Sequence, residues 1–234
     1  MTDKKKIAFV LYDGLTMLDM IGPLQVFTGI GDPYEAVVVA ETTEPMDVSG
    51  GIMKFAAPYT FEDVPNPVGI IVPGGGMPTI RAMANQRLRK YLLDNVDSAE
   101  FIGSVCTGAL ILAAAGLLEG RDATTHWGYY PELEKFGATY KRKRWVEEGK
   151  IITAAGVSAG IDMALYLAAR LVGEERAKQI QLGIEYDPEP PFGRLNYKGV
   201  LEQAISVENF TDDQRRMYKE ALAEDPAVYD RLMN

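Results

Sequence analysis

The chain has one cysteine and one histidine among its 234 residues. A lone cysteine excludes an intrachain disulfide framework and a cysteine-based zinc site. It fits a reducing compartment, so a cytoplasmic location is expected. A lone histidine excludes HExxH and other histidine-rich metal motifs. Basic charge is also scarce: Lys and Arg number 24 against 33 Asp and Glu, a net charge of −9. That balance argues against nucleic acid or an anionic membrane as a partner. Long apolar runs are missing too, since nothing approaches the ~18 residues of a membrane span. The stretch after Lys4-Lys5-Lys6 is interrupted by Asp13-Gly14, too early for the core of a signal peptide.

What is present is ordinary for a globular protein: 47% hydrophobic and 24% charged residues. The length suits one α/β domain in the range of ~200–250 residues. No internal repeat or low-complexity segment appears. Residues 1–234 read as a single domain, with 194–234 a helical C-terminal extension.

Continuous apolar runs at 7–12, 68–72 and 101–105 predict buried strands, and 34–40 a further one. Residues 46–57 read as a hairpin or as crossing strands around Gly50-Gly51. Helical spacing covers 18–27, with a start near Gly22-Pro23, and 80–97, with a break near Asn85. It recurs at 108–118, at 131–136 closed by Gly137, and at 174–184. A helix over 158–172 would have Ser158 as its N-cap, and a last one starts at Thr211 with Asp212-Asp213 in its first turn. Residues 122–126 read as a short strand, and 139–146 pairs with 150–155 through Glu148-Gly149. Strands alternate with helices, and the central ones lack strict polar alternation. A mostly parallel sheet covered on both faces follows. The basic run Lys141-Arg142-Lys143-Arg144 reads as a solvated strand edge protected by charge.

Cys106 falls between the apolar run 101–105 and the helix after it, separated by small residues. That is the layout of a nucleophile elbow, with a thiol in the place of a serine. Helix N–H groups there would favour the thiolate. The plainer alternative is a buried structural cysteine.

Active sites of open α/β sheets form beyond the C-terminal ends of strands. Three other features fall at such ends. Asp19 sits within Leu18-Asp19-Met20-Ile21, where a carboxylate needs a partner. It is either a helix N-cap or an acid/base partner with which the thiol shares one proton. Pro73-Gly74-Gly75-Gly76 lacks the spacing of a dinucleotide fingerprint, and is either a simple turn or a bare backbone offering N–H groups to developing negative charge. His126, beside Trp127, is either a general base or a packed imidazole.

Taken together, these motifs resemble the ThiJ/PfpI superfamily, over roughly residues 6–193. The likeness rests on Asp13-Gly14 with Leu18 to Leu24, on Pro73-Gly74-Gly75, on Ser104-Val105-Cys106-Thr107-Gly108, on Ala123 to Trp127 and on Ser158 to Asp162. It implies a flavodoxin-like, class I glutamine amidotransferase-like three-layer sandwich with a cysteine nucleophile elbow. Within the superfamily the chain is most similar to the isocyanide hydratases, through Asp19 where many members carry glutamate, Thr107 after the cysteine, and the stretch from Gln181 to Phe192. Protease-like members place a histidine where Thr107 stands, so protease chemistry is not expected. Similar motifs occur in AraC-type regulators, but the segment after Phe192 is too short for their helix-turn-helix region.

The resemblance implies hydration of a small isocyanide without metal or organic cofactor. Cys106 would be the nucleophile and Asp19 the general acid/base. Thr107 would orient Asp19 or water, N–H groups at Gly75 and Gly76 would stabilise the intermediate, and His126 would be secondary. A homodimer is implied as well. Two other classes stay open: glyoxalase or deglycase chemistry on small dicarbonyls with His126 as base, and a non-enzymatic cysteine redox sensor.

Overall fold

The computed structural model describes residues 4–197 and 199–234. The elements run β1 (Lys5–Val10), α1 (Met17–Thr28), β2 (Tyr34–Ala40), β3 (Met46–Val48), β4 (Met53–Phe55), β5 (Tyr59–Thr60) and β6 (Gly69–Val72). Then come α2 (Met77–Met83), α3 (Gln86–Asn95), β7 (Phe101–Val105), α4 (Gly108–Ala114), β8 (Asp122–Ala123) and α5 (Tyr130–Lys135). They end with β9 (Thr139–Tyr140), β10 (Trp145–Glu148), β11 (Ile151–Ala154), α6 (Ala159–Val172), α7 (Glu174–Gly183), α8 (Asp212–Ala221) and α9 (Pro226–Met233).

The main sheet has the order β10-β11-β7-β6-β1-β2-β5. Every pairing in it is parallel except β10 with β11. Its five central strands follow the flavodoxin-like order, and the order reverses between β1 and β6. Each residue of β6 and β7 is buried, as is β1 from Ile7 onward. That is why these strands read as unbroken apolar runs: helices cover both faces. The chain is an α/β sandwich with a mostly parallel central sheet.

The sequence expectations hold for most elements, and the departures have local causes. Helix α1 begins at Met17 with Thr16 as its N-cap, so Pro23 lies inside the helix and Asp19 in its first turn. Asp19 is therefore not a cap. Asn85 ends the 80–97 pattern as expected, because its side chain accepts Leu88 N–H and starts α3. Ser158 makes no side-chain cap on α6; its hydroxyl accepts from Arg144 instead. Thr211 caps α8 through a full capping box with Gln214. The expected strand 139–146 is split. Thr139–Tyr140 pairs with β8, and residues 141–144 form a loop before β10. The basic run is therefore not a strand edge.

Beyond residue 194, α8 packs on α2, and α9 packs on α5 and α8. Helix α9 was not anticipated. Pro226 in its first turn, with Val228 and Leu232 buried on one face, was the available signal.

Candidate active site

The strand ends at the switch point bring three segments together: the start of α1 after β1, residues 73–76 after β6, and the β7–α4 turn. Cys106 is the hinge of that turn. Its φ is 57°, the left-handed region, which non-glycine residues seldom adopt. The backbone there is held by its own N–H, which is shared between the carbonyls of Ala154 (3.1 Å) and Ala155 (3.0 Å). Thr125 Oγ1 donates to the Cys106 carbonyl at 2.9 Å. The thiol is 6% exposed.

Gly74 is required by crowding. A Cβ there would lie 2.5 Å from Thr107 N and 2.9 Å from Asp19 Oδ2. Gly108 is required likewise, since its Cβ would fall 2.2 Å from the Val72 carbonyl oxygen. These two close approaches let the elbow press against the end of β6.

Asp19 is fully buried. Its Oδ2 accepts Gly74 N–H at 3.1 Å, while Oδ1 has no partner of full hydrogen-bond geometry. The Cys106 thiol is near enough to act on the carboxyl as a hydrogen-bond partner. Burial still wins: it raises the Asp19 pKa to about 7, against the lowering effects of the thiol and of Gly74 N–H. A first-turn position on α1 does not overcome that loss of hydration.

The thiol responds in the same direction. Burial first and the Asp19 charge second push Cys106 up to about 12, although Val157 and Thr107 N–H both reach the sulfur and pull it down. The expected free thiolate is thus corrected. Helix α4 has only seven residues, and its N–H groups do not outweigh burial beside a carboxylate. Between the two values the pair holds a single proton.

Thr107 and the glycine loop are wired differently from the expectation. Gly75 N–H and Gly76 N–H both donate to Thr107 Oγ1, at 3.0 and 3.1 Å. They are not free to form an oxyanion hole. Thr107 Oγ1 lies 2.7 Å from Thr79 Oγ1, which lies 2.9 Å from the Tyr12 hydroxyl. Tyr12 donates its one proton to the Pro73 carbonyl. Thr79 must then donate to Tyr12, and Thr107 to Thr79. Both lone pairs of Thr107 and its proton are committed, so it has nothing left with which to orient Asp19 or water. The N–H groups near enough to lower the thiol's pKa are those of Thr107 and Val157. The sequence reading missed Tyr12, Thr79 and Val157. Position after a strand end was the only available signal, and only for Tyr12 and Val157.

His126 caps a short 3-10 turn, with Nδ1 accepting Gly128 N–H at 3.2 Å. Its ring proton must then sit on Nε2. Burial lowers its pKa, so the ring is neutral near pH 7. It packs at 5.5 Å from the Trp127 ring and 6.0 Å from the Tyr129 ring.

Beside the pair opens a cavity of about 560 Å³. Cys106 and Asp19 do not line it, but their neighbours Leu18, Thr125 and Val157 do, together with His126. This volume suits a small organic molecule. No group of acidic, cysteine or histidine side chains suited to hold a metal occurs among the described residues. No helix among them is long and apolar enough to cross a membrane.

A flavodoxin-like sheet with a cysteine at a strained strand-to-helix elbow, paired with a buried carboxyl, defines a class. The DJ-1/PfpI family model matches residues 5–170, so the chain belongs to the DJ-1/PfpI family. Isonitrile hydratase of Pseudomonas putida is 39% identical over 188 residues, which cover 80% of this chain and 81% of that protein. A ThiJ/PfpI family protein from Pseudomonas syringae superposes with a TM-score of 0.79 at 32% identity, over 99% of this chain and 91% of that one. DJ-1beta of Drosophila melanogaster shares the fold, with a TM-score of 0.71 at 21% identity, over 79% of this chain and 100% of that one.

Proposed function

We propose that this chain is an isocyanide hydratase, adding water to R–N≡C to release an N-substituted formamide. The observation that carries the reading is the buried Asp19 carboxyl set beside the Cys106 thiol at the elbow, in a chain 39% identical to an isonitrile hydratase. Asp19 takes the thiol proton as the sulfur adds to the terminal carbon. It then delivers that proton to the same carbon, which gives the thioimidate R–N=CH–S–Cys106. Water adds next. Asp19 removes one of its protons while the oxygen bonds to carbon, and the proton passes to nitrogen. The adduct R–NH–CH(OH)–S–Cys106 collapses: the hydroxyl proton returns through Asp19 to sulfur, the C–S bond breaks, and R–NH–CHO leaves. Val157 and Thr107 N–H stabilise the sulfur while it carries charge. The scheme uses no metal or organic cofactor.

The dicarbonyl reading requires His126 as base. It is weakened by the engagement of Nδ1 with Gly128 N–H and by a ring proton on Nε2. The sensor reading requires an exposed thiolate, and Cys106 is 6% exposed with a raised pKa.

Purified protein is assayed by absorbance with para-nitrophenyl isocyanide and, in parallel, with methylglyoxal. Formamide formation abolished by Cys106→Ser is expected. Consumption of methylglyoxal alone overturns the reading.

The proposal extends to a cytoplasmic homodimer. Leu18 and Ile21, one turn apart on α1, are 45% and 37% exposed and supply apolar surface beside the elbow that a second copy would cover. Light scattering is expected to give twice 25.7 kDa, and 25.7 kDa itself rules the dimer out.

A further inference from the structure

The loop of residues 141–144 is exposed from Arg142 to Arg144 but is not part of a strand. Arg142 and Lys143 line the cavity beside the thiol, in a chain whose net charge is −9. The other two cations of the run are neutralised. Lys141 pairs with Asp122 at 3.2 Å. Arg144 Nε donates to Asp162 Oδ2 at 2.6 Å, and Tyr186 donates to Oδ1 at 2.7 Å. Asp162 is therefore committed on both oxygens. Arg142 and Lys143 have no carboxylate partner among the described residues. The Arg142 guanidinium lies 5.8 Å from the Tyr197 ring centroid, a contact that orients it without cancelling its charge.

The rest of the wall carries flat aromatic and apolar side chains, Trp127, Tyr140, Tyr197 and Leu18, beside polar ones, Thr125, His126 and Ser158. A site with aromatic walls and two unpaired cations fits a ligand with an unsaturated body and an anionic end. Leu18, Thr125 and Val157 line this cavity and are neighbours of Asp19 and Cys106, so it opens beside the pair.

We infer that the cavity selects isocyanides whose organic group is an aromatic or similarly flat body bearing a carboxylate, held by Arg142 and Lys143. The inference rests on the hydratase reading for its reaction, but the anion site stands on the charges and the cavity.

The test compares 4-isocyanobenzoate with its methyl ester, which share a ring and differ in charge. The acid is expected to have a kcat/KM about tenfold above the ester, as one added charge-assisted contact would give. That ratio is expected to collapse in the double variant Arg142→Gln/Lys143→Gln, and to shrink in 0.5 M salt. A ratio at or below one in the wild type overturns the inference. Calorimetry with 4-formamidobenzoate and its methyl ester reads the anion site without turnover. Preference for the acid with no hydration of either isocyanide keeps the site and rejects the hydratase reading. Equal binding of both rejects the site.

Discussion

Thr107 passes its only hydroxyl proton to Thr79 across 2.7 Å, because Gly75 and Gly76 N–H already fill both of its lone pairs. The residue after Cys106 is thus a clamp. It ties the glycine loop after β6 to the elbow after β7, and so fixes Gly74 N–H on Asp19.

Thr107→Val keeps the shape and removes the oxygen. Two loop N–H groups lose their acceptor. The expected cost is about 2–4 kcal/mol in urea unfolding, the lower part of what two groups at ~1–3 kcal/mol each would give, because both N–H groups are part-buried. Thr107→Ser retains the oxygen and is expected to stay within about 1 kcal/mol of wild type. Equal losses in both variants would show that the methyl group, not the hydroxyl, matters.

Asp19→Asn is expected to lower turnover of para-nitrophenyl isocyanide by at least ~10²-fold, the usual loss when a general acid/base is removed. Asp19→Glu keeps the carboxyl but displaces it, and should be damaged less than Asn though still measurably. His126→Ala should retain most activity once folding is verified, since the proposed steps do not use its ring. An inactive His126→Ala beside an active Asp19→Asn would move the proton chemistry to the histidine and favour the dicarbonyl reading.

The reactive form of the pair carries one proton. Below about pH 7 Asp19 is protonated and cannot accept from the thiol. The rate kcat/KM is therefore expected to fall about tenfold per pH unit on the acid side. Absorbance near 240 nm should show little thiolate at pH 8 in the wild type. It should show a lower thiol pKa in Asp19→Asn, where the neighbouring charge is gone. A rate flat from pH 8 to pH 5, or a wild-type thiolate at pH 7, contradicts this assignment.

Glu132 gives a separate pH signature in the scaffold. It is 2% exposed on α5, Tyr218 of α8 donates to its Oε1 at 2.9 Å, and its Oε2 has no partner. Burial raises its pKa from 4.5 to about 7. A raised folded-state pKa means that stability is fully present below the unfolded value and lost as pH rises toward 7, after which it levels off. Glu132→Gln removes the titration and leaves Tyr218 an acceptor. The variant is expected to gain up to about 3 kcal/mol over wild type at pH 8, with no gain at pH 4. A uniform loss at both pH values would mean that the carboxyl is better accommodated than its burial implies.

The sequence by itself determined the main strands of the sheet and singled out Cys106 and Asp19 as candidates. Buried parallel strands are unbroken apolar runs, and the runs ending at Val72 and Val105 show it without any partner in view. Cys106 and Asp19 stood out because each is an exception to its immediate neighbours, a thiol among small turn residues and a carboxylate in an apolar stretch. These are local patterns, and local patterns survive in one dimension. What the tertiary structure decided depends on groups far apart in the chain. Thr107 meets Gly75 and Gly76 across 32 and 31 positions, so which hydroxyl consumes which N–H was not available from spacing. The thiol's ionisation turned on burial, a property of the packed molecule, and burial outweighed the nearby N–H groups. The basic loop read as a strand edge because the cavity it lines is shared with Tyr197, more than fifty residues on, whose ring the Arg142 guanidinium meets only in the folded chain. Chemistry at single residues is written in the sequence; the partners that tune it are set by chain closure.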